Sequence, residues 1–268
     1  MAGAGRVVIV TGASAGLGKA CADRLHAGGW TVYGASRRGT TSGGWVPMKM
    51  DVDNDEQVAV GVSSVVAEKG RLDAIVACAG WGLAGPVEKT PIEAAKDQFE
   101  TNLWGAARLV REALPTMRAQ GSGRIVLVSS LAGLIALPFQ AFYSASKFAM
   151  EGYGEALAYE VEPFGIHVTM VEPGNFKTDF TASRRDVSLQ SGDPYAAASA
   201  RAIEIMERDE ANGARPDAAA KVVERVLMAK RPPRRVSVGK MGERVGVLAK
   251  RLLPHRVFEK AASGALGV

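Results

Sequence analysis

The chain has 268 residues, 47% of them hydrophobic and 23% charged, with a formal net charge of +5. That balance excludes a disordered chain and suits a compact globular protein. Two cysteines exclude a disulfide scaffold and read as small buried thiols of a reducing compartment.

The first apolar run, 6–12, reads as a strand, and nothing before it has the basic segment or cleavage site of a leader, so a cytoplasmic protein is expected. It leads into Thr11-Gly12-Ala13-Ser14-Ala15-Gly16-Leu17-Gly18, where a helical pattern at 17–27 begins. Glycines let this backbone turn tightly and approach a ligand closely. The helix N-terminus offers N–H groups and partial positive charge to a phosphate. Gly12, Ser14, Gly16, Leu17 and Gly18 are therefore the candidate cradle, although a plain strand-to-helix turn also explains them. Their spacing, G-x-x-x-G-x-G, differs from the commoner G-x-G-x-x-G.

A second strand, 30–36, ends in Ser36-Arg37-Arg38. An acidic residue there would bind the ribose hydroxyls of NAD; its absence and two guanidinium groups suit the 2′-phosphate of NADP(H). Solvated loop arginines are the alternative. The third strand, 46–52, ends at Asp51 and Val52. Asp51 can accept from an adenine amino group or cap the next helix, 54–69. The fourth, 72–80, ends at Ala79 and Gly80, small enough to let a ribose approach. Cys78 has no base beside it in sequence and reads as structural. A long helix, 94–119, carries Asn102, either a functional group or a kink residue.

The fifth strand, 123–130, ends at Ser129-Ser130, which strand alternation turns to opposite faces without saying which one meets a site. Ile125 to Ser146 carries no charge over 22 residues, enough to span a bilayer. Its four serines, Gln140, Pro138 and Gly133 make it a buried strand, a loop and a helix start instead. The helix 143–162 opens Tyr143-Ser144-Ala145-Ser146-Lys147. Residues four apart share a helix face. An ammonium there favours the phenolate and lowers a phenol pKa of about 10, giving an acid/base for a carbonyl or an alcohol.

A sixth strand, 166–174, ends at Pro173-Gly174, and the polar stretch 175–215, helical at 195–209, sits where a substrate lid belongs. A helix after Pro216, a strand at 235–239 and a basic tail, 240–268, close the chain. From Lys221 onward twelve Lys/Arg face three Asp/Glu, a net +9. This is a solvated helix face or a peripheral contact with a membrane surface, not a span. No nucleic-acid motif accompanies it, and no metal site is expected. Alternating strands and helices imply a single-domain, Rossmann-type doubly wound parallel α/β sheet of about seven strands with helices on both faces. Ligands bind such sheets at the carboxyl ends of the strands.

Taken together, Thr11–Gly18, Asn102, Ser130, Tyr143-x-x-x-Lys147 and Pro173-Gly174 resemble the short-chain dehydrogenase/reductase family, from Arg6 to about Gly239. The resemblance implies Tyr143 as acid/base and Lys147 as the group that tunes it and holds the ribose. It implies Ser130, rather than Ser129, orienting the substrate, Asn102 holding a water in a proton relay, and Pro173, Gly174 and Thr178 holding the nicotinamide amide. Ala77-Cys78 stand where the family carries Asn, which puts the bracing of the central sheet in doubt. Residues 142–152 resemble the hydroxysteroid and retinol dehydrogenase branch.

The implied function is NADP-dependent hydride transfer to or from a lipophilic alcohol or ketone, such as a steroid or retinoid. An apolar wall from Leu134, Ile135, Leu137, Phe139 and Phe142 would receive it. The alternatives are reduction of 3-oxoacyl groups on an acidic acyl carrier protein docked at the basic tail, and a non-catalytic dinucleotide sensor or scaffold. A homodimer or homotetramer packed through the helices 94–119 and 143–162 is also implied.

Overall fold

The computed structural model describes residues 5–40 and 43–265. Residues 1–4, 41–42 and 266–268, including the start of the chain and the end of the basic tail, lie outside them. The strands are β1 (Val7–Thr11), β2 (Thr31–Ser36), β3 (Val46–Lys49), β4 (Ala74–Ala77), β5 (Leu83–Ala84), β6 (Gly123–Val128), β7 (Ile166–Pro173), β8 (Arg185–Asp186) and β9 (Arg235–Val238). The α-helices are α1 (Gly16–Ala27), α2 (Asp55–Lys69), α3 (Ile92–Phe99), α4 (Gly105–Gln120), α5 (Ala141–Val161), α6 (Phe180–Ser183), α7 (Ala196–Ala211), α8 (Pro216–Met228), α9 (Met241–Leu252) and α10 (His255–Ala265).

Seven strands form one parallel sheet in the order β3-β2-β1-β4-β6-β7-β9, and β5 pairs with β8 in a separate two-stranded ribbon. β1 is apolar and buried throughout because each face of the sheet is covered. Alternate side chains divide between two cores. Val7 and Ile9 pack with Val62, Leu109, Met150 and Leu157, on the side of α2, α4 and α5. Val8 and Val10 pack with Ala22, Leu25, Val223 and Val226, on the side of α1 and α8. Fully burying such a side chain contributes about 1.5–3 kcal/mol.

The strand order reverses at β1, whose neighbours are β2 and β4, so a crevice opens at their carboxyl ends. β3, β4 and β6 are shorter than their apolar runs suggest. Asp51 and Val52, Cys78 to Gly80, and Ser129 and Ser130 have left the ladder and turn toward that crevice. The long helix around Asn102 is interrupted: α3 and α4 are joined by a π-helical turn at Glu100–Trp104. Such turns mark places where one residue too many has been fitted into a helix, often at a functional site. Among the described residues no helix is long and apolar enough to cross a membrane.

Candidate active site

The glycine-rich turn is built by collisions that only glycine avoids. Gly12 has φ 67°, and a Cβ there would meet the Ala79 backbone at 3.0 Å. On Gly18 it would lie 2.3 Å from the Gly12 carbonyl oxygen. The turn delivers the chain to α1, whose first residues receive no side-chain cap from Ala15. Free N–H groups of a first helical turn aimed into a crevice are an anion site. At the far side of the turn Arg38 Nη2 donates to Ser14 Oγ at 2.9 Å, and Ser36 Oγ accepts from Gly39 N at 3.2 Å. Arg37 and Arg38 are exposed.

These residues line one end of a cleft of about 1110 Å3. The cleft runs past Asp51, Val52, Ala79 and Gly80 to Pro173, Gly174 and Thr178, and its floor carries Ser130, Tyr143 and Lys147. Asp51 does not cap α2; Asn54 does, accepting from Gln57 N at 2.9 Å. The Asp51 carboxylate instead accepts from Asp53 N at 3.2 Å in a local turn. Thr178 Oγ1 accepts from Phe180 N at 3.2 Å.

Tyr143 and Lys147 lie one helical turn apart on α5, both buried, with the Lys147 ammonium 5.9 Å from the Tyr143 ring centroid. Lys147 Nζ donates to the Val128 carbonyl at 2.9 Å. Burial dominates both ionisations. It pushes the Tyr143 phenol up to about 12, opposed by a hydrogen bond with Ser130 and helped by the charge of Glu210. It pushes the Lys147 ammonium down to about 8. The lowered phenol pKa expected from the lysine is therefore not what this cleft produces: burial outweighs the neighbouring groups. Ser130 Oγ also accepts from Ala132 N at 3.0 Å. Ser129 is buried with its hydroxyl unpartnered. The serine beside the phenol is thus Ser130, a distinction alternation could not make because β6 ends at Val128.

Asn102 is the one candidate that does not line the cleft. It is fully buried behind it. Its side chain accepts from Trp81 N at 3.0 Å and donates to Trp81 O and to Ser146 Oγ, both at 3.1 Å. Those bonds occupy both ends of the amide, so the side chain braces the loop from behind the cleft. The loop after β4 is braced twice. Asn102 holds Trp81, and Thr11 Oγ1 accepts from Cys78 N at 3.0 Å and Ala79 N at 3.2 Å. These contacts hold the loop although Ala77 and Cys78 supply no polar side chain of their own. Burial pushes the Cys78 thiol up to about 11, against a nucleophilic role.

The apolar wall differs from the one expected. Ile135 and Leu137 line the cleft, joined by Trp81 and Phe180, whereas Leu134, Phe139 and Phe142 do not. Phe180 packs on the Tyr143 ring with centroids 5.7 Å apart. Phe139 adopts φ 58°, unusual for a bulky residue, and its carbonyl accepts from Gly85 N at 2.7 Å. Residues 175–215 are tied to the body rather than loose. β8 pairs with β5, and the buried Arg184 side chain binds Glu207 at 2.9 Å, Asp186 at 3.0 Å and Glu210 at 3.2 Å. Sequence periodicity missed this ribbon, because two-residue strands have no period to read. It missed Trp81 as well, which has no motif around it.

Known proteins share this arrangement. The family model described as short chain dehydrogenase matches residues 6–188. A 3-ketodihydrosphingosine reductase of Bacteroides thetaiotaomicron is 38% identical over 259 residues, covering 96% of each chain. Retinol dehydrogenase 8 of Bos taurus is 34% identical, covering 88% of this chain and 82% of its own. The crystal structure of a short-chain dehydrogenase from Streptomyces avermitilis superposes with a TM-score of 0.82 at 33% identity, covering 97% of each chain. Sequence match, sheet topology and cleft agree, and the chain belongs to the short-chain dehydrogenase family of nicotinamide-dependent oxidoreductases.

Proposed function

We propose that the protein is an NADP(H)-dependent reductase of a lipophilic ketone, with Tyr143, Ser130 and Lys147 acting at the substrate oxygen. The observation that carries this reading is a buried Tyr143–Lys147 pair beside Ser130 in a cleft whose other end holds two exposed arginines and no acidic residue at the end of β2. The cleft fits the coenzyme. The Gly12 approach to Ala79 and the uncapped N-terminus of α1 suit a pyrophosphate. Asp51 and Val52 would border the adenine end, and Ser36, Arg37 and Arg38 the 2′-phosphate. Ala79 and Gly80 would border the ribose, and Pro173, Gly174 and Thr178, which line the opposite end of the cleft, the nicotinamide.

When bound, the coenzyme supplies the hydride. Tyr143 gives its hydroxyl proton to the carbonyl oxygen as charge develops there. Ser130, hydrogen-bonded to Tyr143, holds the same oxygen. Lys147, largely protonated at neutral pH, stabilises the phenolate left behind. Asn102 positions the loop at Trp81.

Trp81, Ile135, Leu137 and Phe180 favour an apolar substrate body, and the anchored segment 175–215 forms its outer wall. The relatives' names point to 3-ketodihydrosphingosine and retinol, both lipophilic. The free thiols of Cys21 and Cys78 suit the cytoplasm. Exposed Trp104, at the π-helical turn before α4, and Tyr159 on α5 suit a homodimer or homotetramer. The test is steady-state reduction of 3-ketodihydrosphingosine, a steroid ketone, retinal and a carrier-bound 3-oxoacyl thioester, with each coenzyme. Turnover of a lipophilic ketone with a lower Michaelis constant for NADPH than for NADH is expected. Equal constants contradict the coenzyme assignment, and turnover of the carrier-bound thioester alone contradicts the substrate class.

A further inference from the structure

We propose that α9 is a docking surface for an anionic lipid bilayer. Met241, Val245, Leu248 and Leu252 recur at i, i+4, i+7 and i+11, one stripe along the helix. All four face solvent, with 71%, 54%, 55% and 72% of their surfaces exposed. A stripe at this spacing ordinarily faces a core, yet here the opposite face does. Lys250 Nζ donates to the Leu134 carbonyl at 2.5 Å and lies 5.1 Å from the Phe148 ring centroid. Glu243 accepts from Lys240 N at 3.0 Å and Asn175 N at 3.3 Å. The helix is thus clamped to the body with its apolar stripe outward.

The charges select the partner. Arg244 and Arg251 are exposed along one edge of the stripe, and Lys240 precedes it. Glu243, the single carboxylate of α9, is turned inward. On the following α10, Arg256 and Lys260 add positive charge, and Glu259 is engaged by His255 at 3.0 Å. An apolar stripe bordered by arginines suits the boundary between acyl chains and acidic headgroups. A two-fold pairing of α9 on itself would bring Arg244 and Arg251 toward their own copies with no carboxylate between them. The inner face of α9 abuts the cleft: Glu243 and Ile135 line it, and Gly246 faces Ile135. Docking therefore brings the cleft close to the membrane surface.

The docking claim rests on α9 and not on the reductase reading, and its test needs no turnover. The full chain is sedimented with phosphatidylcholine vesicles and with vesicles half phosphatidylglycerol. Binding at least tenfold stronger to the anionic vesicles is expected, since each basic residue at such a surface contributes about fivefold. Arg244→Glu with Arg251→Glu removes that preference, and Leu248→Glu with Leu252→Glu removes binding to both, at an unchanged thermal midpoint. Failure of the unmodified chain to bind anionic vesicles overturns the proposal. So does a leucine variant that keeps its vesicle binding but falls to a smaller mass in solution, which assigns the stripe to a second copy.

Discussion

Burial pushes the Tyr143 phenol up to about 12 from the ordinary value of about 10, and the Ser130 hydrogen bond only partly offsets this. Lys147 feels the same burial with the opposite consequence: its folded pKa, about 8, lies below the ordinary 10.5, so it loses its proton as pH rises through about 8. The kcat/KM for reduction, which reports the free enzyme, is expected to be level below that pH and to fall above it. A profile level to pH 10 contradicts a role for the Lys147 ammonium. Arg38→Ala should raise the Michaelis constant for NADPH about tenfold to a hundredfold, the worth of about 1.5–3 kcal/mol for a bond to a charged group. That for NADH should not change. The shared helix face of Tyr143 and Lys147 was legible in the sequence because a fixed four-residue spacing on a helix has one geometric meaning. The choice between Ser129 and Ser130 was not, since it depends on where β6 releases the chain. The raised Tyr143 pKa was not legible either, since burial belongs to the closed fold rather than to neighbours in sequence.

Among elements, the π-helical turn at Glu100–Trp104 and the loop after β4 support each other through Asn102. Thr11 completes the brace from the end of β1. Thr11→Val leaves two backbone N–H groups without their acceptor, which should cost about 1–3 kcal/mol. A midpoint lower by about 2–12 °C in scanning calorimetry follows for a domain of this size; an unchanged midpoint contradicts the bracing. The outer wall hangs on Arg184, whose side chain is almost wholly buried among Asp186, Glu207 and Glu210. Arg184→Met leaves the buried Glu210 carboxylate without its guanidinium and frees the exposed Asp186 and Glu207. Limited proteolysis should then cut within 175–215 faster than in the unmodified protein, and equal rates contradict the tether. Long apolar strands and amphipathic helices were readable because period and composition persist over many residues. The β5–β8 ribbon and the break between α3 and α4 were not, because each depends on partners far away in sequence.

At the scale of the molecule, the strand order around β1 brings residues from Gly12 to Thr178 to one edge of the sheet. The alternation of strands and helices was enough to anticipate that edge, since right-handed crossovers leave few other arrangements. The apolar wall was anticipated only in part, at Ile135 and Leu137, because a run such as Leu134 to Phe142 can face cleft, core or a neighbouring helix with equal hydrophobicity. The exposed Trp104 and Tyr159 predict a mass in solution of two or four chains by light scattering, and a monomer contradicts assembly through the long helices. The central claim is proton donation by Tyr143 to a ketone reduced at this edge. It is tested most directly by following NADPH consumption with a lipophilic ketone for the unmodified protein and for Tyr143→Phe, with NADPH binding measured on both. The account predicts turnover that falls at least about a hundredfold in the variant while NADPH binding is kept, within the usual contribution of a positioned acid. Comparable turnover by the variant would contradict it.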